Sequence, residues 1–212
     1  MMKILVITGN IGSGKSVASR ILADNYDVPV YDSDSRAKLL YDKYPSIVSQ
    51  IENSIPDKTI SAKPVSLRGE DGRLDKGKLA SMIFSDKRIL AVVESIVHPM
   101  VLRDFEVWAA DFRDRPLVVF ESAIILTKPL FAQFGDWVLE VTAPEEVRLE
   151  RACLRDNAPR EAVAARICTQ AAQARLREPD FVIDNSGNPD SLKSELLSLY
   201  LYLSALPDVG RR

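Results

Sequence analysis

The chain has 212 residues, 46% hydrophobic and 27% charged, a balance that suits one domain, or one domain with an insertion, around a real apolar core. Its net charge of −2 leaves no basic footprint for duplex nucleic acid or an anionic membrane, so any anion site has to be local. The longest apolar run, Leu117 to Leu126, contains Glu121 and Ser122 and is too short to span a bilayer.

Residues 3–8 read as a fully buried strand through Ile4-Leu5-Val6-Ile7. A strand-like start is not a signal peptide. Two cysteines, Cys153 and Cys168, are too few for a disulfide framework or a metal cluster and read as inert thiols. Both observations point to the cytoplasm. Next stands Gly9-Asn10-Ile11-Gly12-Ser13-Gly14-Lys15-Ser16, the spacing of a phosphate-cradling loop, between that strand and a helix expected over residues 16–25. Backbone N–H groups are the densest source of donors for a polyphosphate, and the helix N-terminus adds its dipole. Asn10 through Val17 are therefore the candidate nucleotide site. Lys15 places a point charge on the β- and γ-phosphates, and the Ser16 hydroxyl is a ligand for Mg²⁺. Chance would produce the four fixed positions in roughly one chain in a hundred of this length. The alternative is a glycine-rich turn with a surface lysine.

Val28-Pro29-Val30-Tyr31 is a second strand, ending at Asp32-Ser33-Asp34. Alternation along an extended chain places Asp32 and Asp34 on one face. Asp32 is the candidate base for an acceptor hydroxyl, and Asp34 a helix cap or a water-mediated metal contact. The bland reading is two carboxylates capping the next helix, whose apolar positions are Ala37, Leu39, Leu40 and Tyr44. Residues 45–66 are polar and punctuated by Pro45, Pro56 and Pro64, and Gly69-Glu70-Asp71-Gly72 is a turn. From Leu74 to Val97 the apolar spacing is helical; His98-Pro99 is expected to interrupt it before another helix to Phe112. His98, the sole histidine, is either a substrate ligand or a ring bonded to backbone at a helix end.

Leu117-Val118-Val119-Phe120 is a third strand with Glu121 at its end, Trp137 to Val141 a fourth, and Phe181-Val182-Ile183 a fifth that runs into Asp184-Asn185-Ser186-Gly187. Helices are expected over Glu145 to Asp156, Arg160 to Arg177 and Asp190 to Leu203, followed by a frayed tail from Pro207. Strands alternating with helices mean an α/β fold with a parallel sheet covered on both faces. Ligands of such sheets bind beyond the carboxyl ends of the strands, where all the polar candidates fall. Glu121 is a candidate to hold Mg²⁺ through water. Arg148, Arg151 and Arg155 share a helix face suited to phosphate oxygens, unless they are a solvated face paired with Glu145, Glu146 and Glu150. Arg166 and Gln170 share a second face.

Taken together these residues resemble the dephospho-coenzyme A kinase family over nearly the whole chain. The resemblance rests on Thr8 to Ser16, Asp32-Ser33-Asp34 with Arg36-Ala37, Asp71-Gly72-Arg73-Leu74-Asp75-Lys76 with Leu79, and Phe84-Ser85-Asp86. His98-Pro99, Ala143-Pro144, Arg151 with Arg155, Arg166-Ile167 with Gln170, and Asp180 to Gly187 complete it. It implies a phosphate-loop kinase with strand order 2-3-1-4-5 and a core of residues 1–32 and 113–212. A helical insertion over about 33–112 would recognise the acceptor, and a lid over about 144–175 would close on the phosphates. ATP and dephospho-coenzyme A would be the partners, with Mg²⁺ as cofactor; the net charge argues against nucleic acid and membrane, and a monomer is the expectation on a point the sequence itself does not report. Lys15, Asp32, Arg151 and Arg155 would carry catalysis. Asn185 would lie at the ATP adenine, and Asp32, Asp34, His98 and Glu121 on the acceptor side. Three departures stand out: Asn10 where the family has Gly, Arg148 where it has Gln, and Ile124-Ile125-Leu126-Thr127 where members carry a second acid. Rival readings are another nucleoside or nucleotide kinase, a GTPase-like switch, for which the guanine-reading Asn-Lys-x-Asp is missing, and an inactive binding module.

Overall fold

Lys3–Thr8 forms the central strand, β1, of a five-stranded parallel sheet. The other strands are β2 (Val30–Asp32), β3 (Leu117–Glu121), β4 (Trp137–Thr142) and β5 (Phe181–Asp184), and the order is β2-β3-β1-β4-β5, as expected. The computed structural model describes residues 2–55 and 66–207. Pro56, Pro64 and most of the tail read as frayed lie outside the described residues. Eight helices are described: α1 (Lys15–Tyr26), α2 (Ser33–Lys43), α3 (Ser46–Ser54), α4 (Lys76–Ser85), α5 (Lys87–Ala109), α6 (Glu145–Asp156), α7 (Arg160–Ala171) and α8 (Pro189–Ala205). Among the described residues no helix is long and apolar enough to cross a membrane.

The chain folds as two compact units. The first is the chain up to Ser33 together with everything from Ala109 onward, and holds the sheet. Strand side chains alternate between faces, and both faces of β1, β3 and β4 are buried, which explains their unbroken apolar runs. Leu5, Ile7, Leu117, Val119, Leu139 and Val141 pack on Ala18 and Leu22 of α1 and on Leu192, Leu196 and Leu203 of α8. On the other face Phe120 is fully buried, stacked on Tyr31 at 5.4 Å and meeting Phe134 edge-on at 4.7 Å between ring centroids. Lys3 is buried although charged; its Nζ donates to the Leu203 carbonyl at 2.9 Å and to that of Leu206, so a cation closes the negative end of α8.

The second unit is Asp34–Trp108. Two sequence expectations are corrected in it. Residues 46–54 form α3 rather than irregular chain: Ile47, Val48 and Ile51 are buried, and Pro45 sits at the N-cap, where a missing N–H costs nothing. The helix break falls at Asp86, not at His98-Pro99. Asp86 accepts from the Arg88 N–H at 2.9 Å, and α5 then runs through Pro99. Its buried stripe of Ile89, Val93, Val97, Val101 and Phe105 keeps a spacing of four on both sides of the proline, so packing of one continuous face overrides the local penalty. α4 starts where Asp75 accepts from the Lys78 N–H at 2.9 Å. Asp104, buried on α5, is paired with Arg36 at 2.7 Å and Lys43 at 3.4 Å. In the first unit α7 stops at Ala171, six residues short of the expected Arg177.

Phe120→Ala should destabilise the first unit by about 3–5 kcal/mol, because it removes a ring that packs on three others. The urea unfolding midpoint measures this, with a smaller change expected for Phe120→Leu.

Candidate active site

The loop between β1 and α1 is a tight turn followed by a helix start. The Asn10 carbonyl accepts from the Ser13 N–H at 3.0 Å, leaving Ile11 and Gly12 at the apex. Gly12 has φ +76°, which the third position of a type II turn requires. The site is also closed to a side chain, since a Cβ on Gly12 would stand 2.1 Å from the Arg148 carbonyl oxygen. Gly14, at φ +98°, is equally constrained: its Cβ would lie 2.0 Å from Asn185 Nδ2. α1 opens at Lys15, so its first N–H groups have no partner within the helix.

Asn185 is built in from the far edge of the sheet. Its backbone N–H donates to the Thr142 carbonyl and its buried amide donates to the Ser13 carbonyl, both at 2.8 Å. In a trans peptide the C=O and N–H point opposite ways. Fixing the Ser13 carbonyl therefore turns the Gly14 N–H away from Asn185. The side chain that the family resemblance associates with adenine is engaged with the loop backbone.

Sheet register assembles the acidic side. Asp32 is the partner of Glu121 across β2 and β3, and Ile7, at the end of β1, is the partner of Glu121 across β3 and β1. The Ser16 hydroxyl donates to Glu121 Oε1 at 2.5 Å. A hydroxyl from the loop and a buried carboxylate from β3 thus meet at one point, beside half-buried Asp32. Among the described residues no group of three or more His, Cys, Asp or Glu forms a ready metal cage. The expected shared face of Asp32 and Asp34 does not arise. The extended chain ends at Asp32, and Asp34 lies in the first turn of α2, exposed, where its charge suits the helix dipole. His98 is half-buried in α5 of the second unit.

The third component is the α6–α7 hairpin. Leu149, Ala152, Val163 and Ile167 form its small core, and Ile11 of the loop packs against them. Gln170 Oε1 accepts from the Ile11 N–H at 2.8 Å. The arginines are used in three different ways. Arg148 is buried and donates to the Ala143 carbonyl at 3.1 Å, which makes it a brace for the start of α6. Arg151 carries a buried Nη1 that finds no hydrogen-bond partner among the described residues. Arg155 grips Asp156 through Nε at 2.7 Å and Nη2 at 3.1 Å, and Arg166 joins the same carboxylate at 2.9 Å. Hydrogen bonds from Arg155 first and Arg166 second hold the Asp156 carboxyl at about 2, below its ordinary 3.8.

Asp156 escaped the sequence reading because a carboxylate in a charged helix has no distinguishing spacing. Glu140 also escaped, though an acid inside a buried strand signals a partner elsewhere. The partner is Arg175, which clamps it at 2.7 and 3.0 Å. That pair, with Thr8, Asn10 and Gln170, lines a cavity of about 200 Å³ behind the loop.

A family model described as dephospho-CoA kinase matches residues 3–191. A dephospho-CoA kinase of Porphyromonas gingivalis is 39% identical over 170 residues, covering 80% of this chain and 78% of the relative. The crystal structure of a Thermus thermophilus protein superposes with a TM-score of 0.75 at 29% identity, covering 95% of this chain and 98% of that one. A dephospho-CoA kinase of Campylobacter jejuni, 20% identical, shares the fold with a TM-score of 0.63, over 96% of this chain and 98% of that one.

Gly12→Ala should weaken binding of a nucleoside triphosphate by about a hundredfold or more, since both the positive φ and the Arg148 carbonyl oppose a methyl group. Isothermal titration against MgATP checks it. In a side-chain ¹³C titration Asp156 should ionise near 2 rather than 3.8. Because the folded value is depressed, whatever this cluster adds to stability is present above the ordinary carboxylate pKa and is lost as pH falls through 2. Removing both Arg155 and Arg166 should return the titration to the ordinary range.

Proposed function

The chain belongs to the dephospho-CoA kinase family, and on that premise we propose that it transfers the γ-phosphoryl group of ATP to the ribose 3′-hydroxyl of dephospho-coenzyme A, giving coenzyme A and ADP. One observation carries the site assignment: the Ser16 hydroxyl and Glu121 meet at 2.5 Å at the mouth of the glycine loop, with Asp32 in register beside Glu121.

Backbone N–H groups of the loop and the Lys15 ammonium hold the β- and γ-phosphates. Ser16 and Glu121 present hard oxygen donors at one point, the chemistry that suits Mg²⁺, with Glu121 acting through water. When bound, the ion neutralises charge between the phosphates. Asp32 accepts the proton of the attacking hydroxyl, so that the nucleophile gains electron density as the new P–O bond forms and ADP leaves. Arg151, whose buried Nη1 has no hydrogen-bond partner among the described residues, and Arg155, which would exchange its bonds to Asp156 for phosphate oxygens, place positive charge on the phosphoryl group in transit. Asn185 serves the nucleotide by holding the loop. The α6–α7 segment, residues 144–175, acts as the lid that excludes water, which lets the alcohol rather than water take the phosphoryl group. Residues 33–112, with Asp34 and His98, recognise the acceptor. The reading places the enzyme in the cytoplasm as a monomer acting on small molecules, without nucleic-acid or membrane partners; the near-neutral net charge supports the last point.

An acceptor panel in a coupled ADP assay is the direct test. Dephospho-coenzyme A should give ADP well above background; turnover with a nucleoside instead would replace the substrate assignment. Asp32→Asn should leave MgATP affinity nearly unchanged and reduce kcat by about 10²–10⁴-fold, the range of general base catalysis. Unchanged turnover would remove Asp32 from the role of base.

A further inference from the structure

The turn that forms the loop apex cannot satisfy all of its own backbone. Its internal bond joins the Ser13 N–H to the Asn10 carbonyl, and the Ile11 N–H points outward. Gln170 supplies the acceptor from α7, 159 residues away. Ile11 is held a second time by its side chain, in the apolar contact made by Val163 and Ile167 of the same helix and Leu149 and Ala152 of α6. Gly12 is held a third time, by its close approach to the Arg148 carbonyl of α6. Two consecutive loop residues thus carry three contacts to the hairpin. Arg151 follows Arg148 on α6 by three residues, the spacing of neighbours on a helix surface.

We propose that Gln170 is a positioning residue whose side-chain carbonyl locks the loop apex to the α6–α7 hairpin and so fixes where Arg151 stands relative to the γ-phosphate. This rests on the kinase reading above. Gln170 touches a backbone N–H and no reacting group, so its effect passes through Arg151. The loop amides and Lys15 bind the nucleotide in the ground state without it. Transition-state charge, in contrast, depends on donors placed beforehand, and small misplacements cost rate. Loss of the Gln170 bond therefore appears in kcat and not in nucleotide affinity.

Gln170→Met keeps the length of the side chain and removes the oxygen acceptor. It should lower kcat about tenfold, the scale of one hydrogen bond, with the Kd for MgATP within about twofold of wild type. In an Arg151→Met background the same change should alter kcat by less than about twofold, because the two residues act through one charge. Gln170→Glu restores an acceptor and should recover most of the lost kcat. Gln170→Asn, one methylene too short, should reproduce the loss if the methionine variant fails to fold. The proposal is overturned if Gln170→Met turns over like wild type, if MgATP affinity falls while kcat holds, or if its effect multiplies independently with that of Arg151→Met. A wild-type enzyme unable to phosphorylate dephospho-coenzyme A sinks the kinase reading instead.

Discussion

An anion-binding loop made of backbone has to be held from outside, because N–H groups left to themselves turn toward the nearest carbonyl. In this protein Asn185 gives that support at the α1 end of the loop, while Gln170 ties the apex to the α6–α7 hairpin. Asn185 donates to the carbonyl of Ser13, and Gln170 accepts from the N–H of Ile11. One group fixes an acceptor and the other a donor, and between them the peptide planes of the turn have little freedom left. The glycines are what allow that support to come so close. A methyl group on Gly12 would strike the Arg148 carbonyl, and one on Gly14 would strike Asn185 itself. Glycine in this loop is therefore as much about the neighbours of the loop as about the phosphate it cradles.

The sheet explains why those neighbours arrive where they do. Parallel register carries Asp32, Glu121 and the end of β1 to one edge, and the stretch after β5 brings Asn185 back to that edge from the other side. The apolar residues of β1, β3 and β4 make this edge rigid by burying both faces. An acid at the tip of such a strand has few directions available, which is how Glu121 comes to meet Ser16 from 105 residues away. A buried carboxylate whose side-chain hydrogen-bond partner among the described residues is one hydroxyl, with a second acid in register beside it, is costly unless a cation shares the site.

What was legible in the sequence was what is local. The phosphate loop is a fixed spacing, and each strand was a short apolar run bounded by turn residues, so the order of elements and the parallel sheet followed. Errors came where tertiary packing overrode a local rule. Pro99 reads as a helix break, yet the stripe from Ile89 to Phe105 continues through it. Pro45 and its polar surroundings concealed α3, although Ile47, Val48 and Ile51 already had helical spacing. Alternation placed Asp34 beside Asp32, but it applies only while the chain stays extended, and α2 begins between them. The site was readable as a set of residue types and not as a set of bonds. Nothing local in Asn185 says that it serves Ser13, 172 residues earlier. Gln170 was marked by sharing a face with Arg166 and by the family resemblance, and neither says that it serves Ile11.

The distribution of charge in the hairpin follows from the same economy of support. α6 alone carries Arg148, Arg151 and Arg155, and α7 adds Arg160, paired with Glu146, and Arg166. Guanidinium groups on one short hairpin repel, and a helix pair with a core of four buried residues has little packing to oppose that. Asp156 answers by accepting from Arg155 and Arg166 together, and the Ala143 carbonyl answers by taking up Arg148. Arg151 is the one of the five with a buried nitrogen that no described residue satisfies. A buried guanidinium N–H without an acceptor is unfavourable by itself, and under the proposed function an arriving phosphate oxygen would relieve it. The hairpin thereby balances four of its five arginines internally, and under the proposed function Arg151 keeps its strongest interaction for the ligand.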